Sequence, residues 1–382
     1  MRRLEKKTDG YMGARPDGVR LERAGHAANA LPGGTPKLRL IAWEVTRRCN
    51  LACKHCRAEA HPEAYPGELS GEQARALIAT FKQTGDPIII FTGGEPLMRE
   101  DVFELAGYAH SLGLRCVMAP NGTMLTGENV RRMVESGIQR CSISIDGPSA
   151  SGHDAFRGVP GAFEASMRGI RLLRDAGLGF QINSTVTKDN LHNFRDIFNL
   201  AKSLGAEAWH IFLLVPMGRA AQLQDQIISA AEYEEVLNWF YDFRKNSSMH
   251  LKATCAPHYY RIMRQRAREE GLMVTAESFG MDALTRGCLG GTGFCFISHT
   301  GQVQPCGYLE LDCGNVLETP FPEIWRSSKP FLQFRNQKEY MGKCGVCEYH
   351  KVCGGCRARA YSLAGSHMAE EPLCGYQPAA VK

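Results

Sequence analysis

The chain of 382 residues is 44% hydrophobic and 22% charged, with a formal net charge of +5. That is the composition of a globular protein with room for two or three domains. It excludes a membrane-spanning helix, since no apolar run reaches about 18 residues, and a nucleic-acid binder, which needs a concentrated basic face.

The small positive charge suits an anionic substrate. The first residues, Met1-Arg2-Arg3-Leu4-Glu5-Lys6-Lys7, are charged and lead into no apolar segment, so no secretory signal and a cytoplasmic location are expected. Residues 1–36, rich in Gly, Pro, Arg and Ala, read as an irregular arm. Fifteen cysteines, an odd number, point away from disulfides and toward metal–sulfur sites in a reducing, anaerobic medium.

From Leu38, β-prone runs at 41–45, 88–91, 115–119, 141–145, 179–186 and 209–215 alternate with amphipathic helical segments. Ser70, with Gln73 three residues on, forms a capping-box pattern at one helix start. Gly113, Gly137, Gly177 and Gly205 mark helix ends. Six strand–helix units predict parallel strands in an α/β fold, a partial (β/α)6 TIM-like barrel over 37–225 with its site at the C-terminal strand ends. A helical linker follows over 226–285, where Ser229 and Glu232 complete another capping box. In it, Cys255-Ala256-Pro257-His258-Tyr259-Tyr260 falls at a helix start. Residues 286–382 make a cysteine-rich extension.

Just past the first strand stands Cys49-Asn50-Leu51-Ala52-Cys53-Lys54-His55-Cys56. Three thiolates can hold three irons of a cubane cluster and leave the fourth open, whereas compact four-cysteine runs carry electrons. A structural zinc site wants four ligands, and His55 lies inside the triplet rather than at a finger-like spacing. The second strand ends in Gly93-Gly94-Glu95-Pro96, whose glycines allow close backbone approach. Later strand ends carry Asn121-Gly122-Thr123, then Ser142, Ser144 and Asp146 on one strand face, then Asn183-Ser184-Thr185.

This series resembles the radical S-adenosylmethionine (AdoMet) superfamily. The resemblance implies that Cys49, Cys53 and Cys56 hold a catalytic [4Fe–4S] cluster whose open iron chelates AdoMet, and that an electron from the cluster cleaves a C–S bond. It implies that Gly93-Gly94-Glu95-Pro96 receives the AdoMet amino group, and that Asn121, Ser144 and Asn183 bind ribose and carboxylate. Arg157 resembles a carboxylate-binding arginine of related enzymes, and Met217 lies in a loop that packs on adenine in them.

The distal cysteines run Cys288-x6-Cys295-x10-Cys306, then Cys313, then Cys344-x2-Cys347-x5-Cys353-x2-Cys356, and last Cys374. They resemble the SPASM extension, which holds auxiliary [4Fe–4S] clusters, although its last gap is one residue longer. Its interleaved connectivity implies one cluster on Cys288, Cys295, Cys306 and Cys356, and a second on Cys344, Cys347, Cys353 and Cys374. Spacing alone leaves one cluster, two clusters or zinc ribbons open. Cys116 and Cys141 read as buried structural thiols.

The run from Leu40 to Cys49, with Cys56-Arg57-Ala58-Glu59-Ala60, further resembles the tetrapyrrole-modifying branch, most of all the AdoMet-dependent heme synthases. That family oxidatively decarboxylates two propionates of iron-coproporphyrin III to vinyl groups, giving heme b. The resemblance implies an iron-porphyrin substrate and a flavodoxin- or ferredoxin-type electron donor, and a monomer is expected. Cys255 or His258 could then serve as an axial ligand, and Arg20, Arg47, Arg57 and Arg219 could pair with the substrate carboxylates. The alternatives are another tetrapyrrole modification of the siroheme or heme d1 routes, a peptide-crosslinking maturase, and an iron–sulfur scaffold without turnover. Residues 1–36 are short for the recognition domain a maturase commonly carries.

Overall fold

The computed structural model describes residues 30–245 and 247–381. Its spine is a nine-stranded sheet in the order β7-β6-β5-β4-β3-β2-β1-β8-β9. Strands β1 (Leu38–Thr46), β2 (Gly85–Gly93), β3 (Arg115–Met118), β4 (Ile138–Ser144), β5 (Phe180–Val186), β6 (Ala208–Leu213), β7 (His250–Thr254) and β8 (Phe294–Ile297) run parallel. The short β9 (Val303–Gln304) turns back antiparallel on β8.

The crossovers are α1 (Gly71–Thr80), α2 (Val102–Ser111), α3 (Gly127–Glu135), α4 (Ala150–Arg157), α5 (Ala162–Asp175), α6 (Lys188–Leu191), α7 (Phe194–Ser203) and α8 (Ala230–Lys245), and α9 (His258–Glu269) follows β7. Parallel neighbours need such long connections, and helices on the outer face keep both sides of the sheet buried. Trp43 and Phe91 are accordingly fully buried, their ring centroids 5.9 Å apart. The six anticipated strands are all present, in a partial α/β barrel. The helix starts also form as read. Ser70 Oγ accepts from Gln73 N at 3.2 Å while Gln73 Oε1 accepts from Ser70 N at 2.9 Å, and Ser229 and Glu232 repeat the exchange at 3.2 and 2.7 Å.

Two strands lie outside the sequence pattern. The segment read as a helical linker contributes β7, which adds to the edge of β6. Its Leu251 and Ala253 alone are buried, too brief an alternation to stand out. Strand β8, from the cysteine-rich extension, takes the other open edge beside β1 and sets Cys295 opposite Ile41. Such pairings are decided by which sheet edge is left free, so the extension completes the barrel sheet.

Candidate active site

The cysteine loop leaves β1 directly, and the neighbouring strand ends grip it through their backbones. Gly94 N–H donates to the Thr46 carbonyl at 2.9 Å and Glu95 N–H to the Arg48 carbonyl at 2.7 Å. A Cβ on Gly94 would come closer than 3.0 Å to the carbonyl oxygens of Arg47 and Arg48, so glycine is what lets the second strand end lie against the loop. From the other side, Ala52 N–H donates to the Arg157 carbonyl at 3.2 Å and Lys54 N–H to that of Phe156 at 3.0 Å. There Gly158 closes α4 at φ +72°, with a Cβ position 2.5 Å from the Ala52 oxygen. Arg219, beyond β6, donates Nε–H to the Cys53 carbonyl and Nη1–H to that of Ala60, both at 2.8 Å.

Within this frame Cys49 and Cys53 are buried and Cys56 is half-buried. Leu51 N–H donates to Cys49 Sγ at 3.4 Å. Arg157 donates to Cys53 Sγ at 3.6 Å while its other arm ion-pairs with the buried Asp146. Burial pushes the Cys49 thiol up to about 12, and raises Cys53 against the pull of Arg157. Asn121 joins the layer: its Nδ2 reaches Asn50 Oδ1 at 2.7 Å and Cys49 Sγ at 3.9 Å. Ser144 and Asn183 are half-buried register partners on β4 and β5. The Glu95 carboxyl is fully buried and accepts from Asn121 N at 2.6 Å and Leu97 N at 3.1 Å. Burial, partly offset by these two bonds, pushes it up to about 7. Its bond to Asn121 ties the ends of β2 and β3 together.

The distal cysteines fall into two groups. Cys344, Cys347, Cys353 and Cys374 line one pocket with His258 and Arg261. Cys288, Cys306 and Cys356 gather with Cys255 around Val215 and Leu309, and Met217 packs against the same cluster. Among the grouped sulfurs one local geometry recurs: the N–H two residues on donates to Cys306, Cys347 and Cys353, each at 3.4 Å, as it does to Cys49. Cys116 does the opposite and donates its S–H to the carbonyls of Ala106 and Leu114, as a structural thiol should.

Cys295 does not join Cys288, Cys306 and Cys356, contrary to the expected ligand set. Its position in β8 turns it into the barrel core, fully buried and in the neighbourhood of Cys313. Cys255, at the end of β7, stands where Cys295 was expected.

A pattern for the Radical SAM superfamily matches residues 43–201, and one for the SPASM iron–sulfur cluster-binding domain matches residues 288–348. The AdoMet-dependent heme synthase of Nitratidesulfovibrio vulgaris is 73% identical over 367 residues, covering 96% of this chain and 98% of its own. That of Methanosarcina barkeri is 52% identical over 340 residues, covering 89% and 97%. This chain belongs to the radical SAM family. The fold agrees: the crystal structure of Streptococcus suis SuiB bound to S-adenosylmethionine superposes with a TM-score of 0.70 at 15% identity, covering 92% of this chain and 81% of that one.

The cofactors of such a radical SAM enzyme with a SPASM domain are AdoMet, the [4Fe–4S] cluster that cleaves it, and auxiliary clusters. The donor sets suit them. Among the described residues no three Cys, His, Asp or Glu side chains converge on a single-ion site; a cubane interposes iron and sulfide between its thiolates and takes ligands set wider apart. N–H donors aimed at the sulfurs are among the features that tune such clusters.

The arginines read as substrate partners are otherwise engaged in this radical SAM enzyme. Arg47 and Arg57 ion-pair with buried Glu44 at 3.2 and 3.1 Å, and His299 Nδ1 meets the same carboxylate at 2.8 Å. Burial alone would raise that carboxyl, but Arg57, His299 and Arg47 outweigh it and hold it at about 2. Arg219 serves the two loop carbonyls, and Arg20 lies outside the described residues. Cys255 and His258, read as axial-ligand candidates, each belong to one distal cysteine group. Tyr308 is a residue that sequence reading passed over. It packs with Cys255, Cys288 and Cys306, and at its neighbour Gly307 a Cβ would lie 3.3 Å from Nε of Arg57, the residue after Cys56, so the barrel triplet and the first distal group are neighbours. No motif announced it; only its place two residues after Cys306 was a signal.

Proposed function

We propose that this enzyme oxidatively decarboxylates two propionate side chains of iron-coproporphyrin III to vinyl groups, giving heme b. The likeness to the heme synthases along nearly the whole chain carries this reading. The approach of Arg57, next to Cys56, to Gly307, next to Cys306, supports it, because each vinyl group requires an outlet for an electron as well as for a hydrogen atom. Each propionate loses a β-hydrogen atom, CO2 and one electron. When bound, AdoMet and the first cluster supply the hydrogen-abstracting radical, and an auxiliary cluster the electron acceptor.

The protein's own part is to hold, orient and shield. Cys49, Cys53 and Cys56 ligate the first cluster, with the Arg157 guanidinium offsetting thiolate charge at Cys53. Gly93, Gly94, Glu95 and Pro96 would hold AdoMet, with Asn121, Ser144 and Asn183 as further polar partners and Met217 on the adenine side. Glu95 keeps that layer in register. Cys344, Cys347, Cys353 and Cys374 hold an auxiliary cluster. A flavodoxin- or ferredoxin-type donor, a monomeric state and a cytoplasmic location belong to the same proposal; no helix among the described residues is long and apolar enough to cross a membrane.

Anaerobically reconstituted protein given AdoMet, a reductant and iron-coproporphyrin III should yield 5′-deoxyadenosine, CO2 and a divinyl product lighter by two formic acid equivalents. Cleavage of AdoMet without that mass change would refute the substrate while leaving the radical chemistry standing. Cys53→Ala should abolish both.

A further inference from the structure

We infer that Cys255, and not Cys295, is the fourth thiolate ligand of the auxiliary cluster held by Cys288, Cys306 and Cys356. The inference rests on the iron–sulfur character of the C-terminal domain and is independent of the substrate. Cys255 comes from the barrel strand β7, 33 positions before the first cysteine of the SPASM match, so no spacing rule within that domain includes it.

Three observations converge on Cys255. First, its side chain packs with those of Cys288 and Cys306 against the small buried cluster that contains Cys356, Val215 and Leu309. Second, its backbone is forced. Cys255 is one of two non-glycine residues with positive φ among the described residues, at +55°, a strained conformation that persists only when its surroundings over-determine it. The surroundings do so: the Cys255 carbonyl accepts from Arg359 Nη2 and from Tyr233 Oη, both at 2.9 Å. Arg359 is itself fully buried and paired with Glu371 at 3.3 Å. Glu371 in turn accepts from the Cys356 backbone N–H at 2.7 Å. One polar network therefore fixes the backbone of Cys255 and of Cys356 together, aiming two thiols from distant parts of the chain at one place.

Third, the competing residue is unsuited. Cys295 is held within β8 against β1, its register partner is Ile41, and it is fully buried in the apolar core. Bringing it to Cys306 would require breaking the β1–β8 ladder. The departure of the last cysteine gap from the SPASM pattern is consistent with a ligand set assembled differently here.

The test uses the full chain with Cys49, Cys53 and Cys56 changed to Ala, so that only auxiliary clusters remain after anaerobic reconstitution. Iron and sulfide counts, with EPR of both the reduced and the oxidised protein, are compared for added Cys255→Ala, Cys255→Ser and Cys295→Ala. We expect Cys295→Ala to keep about eight irons per chain and Cys255→Ala to fall to about four, or to show a three-iron signal. Cys255→Ser, which leaves an oxygen donor in place, should keep its iron with a shifted EPR spectrum. An unchanged spectrum for Cys255→Ser, or loss of a cluster from Cys295→Ala alone, overturns the assignment. A control holding only about four irons, all of which Cys255→Ala retains, also overturns it, because no second cluster then depends on Cys255.

Discussion

Arg219 donates its Nε–H to the carbonyl of Cys53 at 2.8 Å, joining residues 166 positions apart. With its second bond to Ala60, it holds both the middle and the exit of the cysteine loop. Hydrogen bonds from a charged donor contribute about 1.5–3 kcal/mol each. Arg219→Lys keeps the charge but cannot span both carbonyls. It should leave the fold intact and increase the rate at which the reconstituted protein loses iron to a chelator. A loss rate equal to that of the parent would show that the loop is held by other means.

Gly94→Ala should be far more damaging than its one added methyl suggests. The Cβ meets two carbonyl oxygens of the cysteine loop, so the second strand end must move away and weaken the Glu95-to-Arg48 bond. Overpacking of this kind costs about 1–3 kcal/mol. Reductive cleavage of AdoMet by the reconstituted variant is expected to drop at least tenfold, by an assay of 5′-deoxyadenosine.

Glu44 gives the fold an acid-labile component. Its folded carboxyl is held at about 2, below the ordinary 4.5, by Arg57, His299 and Arg47. A depressed carboxylate stabilises the folded state above its unfolded pKa, and that contribution is lost as pH falls toward the folded value. The shift corresponds to about 3 kcal/mol, lost between pH about 4.5 and about 2. Denaturant midpoints measured across that window should fall more steeply for the parent than for Glu44→Gln. The variant should already be weaker near neutrality, because it leaves Arg57 without its carboxylate.

Arg359→Met should destabilise the protein by about 3–5 kcal/mol, since it strands the fully buried Glu371 without its partner. Arg359→Met with Glu371→Gln should recover part of that loss. The double variant still lacks the donor to the Cys255 carbonyl, so its auxiliary-cluster EPR spectrum should remain altered where its stability does not. Matching recovery of both would detach Arg359 from the cysteine group.

The initiating site was legible because it is local. Cys49, Cys53 and Cys56 lie within eight residues, their spacing alone argues for an iron left open, and Gly93-Gly94 announces close backbone approach. The six barrel strands were legible for the same reason, since buried parallel strands are apolar runs separated by capped helices. The four thiols of the second distal group were legible as cysteines, and the pocket they share is a matter of folding.

What the sequence determined, then, is the alternation that builds the barrel and the triplet at the mouth of its first strand. What only the tertiary structure decided is which distant groups meet. His299 meets Glu44 across 255 positions, so Arg47 and Arg57 are engaged inside the protein rather than free for a substrate. Strand β8 closes on β1 and carries Cys295 into the core, while β7 ends by turning Cys255 toward Cys356. The physical reason is that strand edges and buried charges are satisfied by whatever partner the completed fold brings within reach. Neither has a period or a spacing that a single sequence can display.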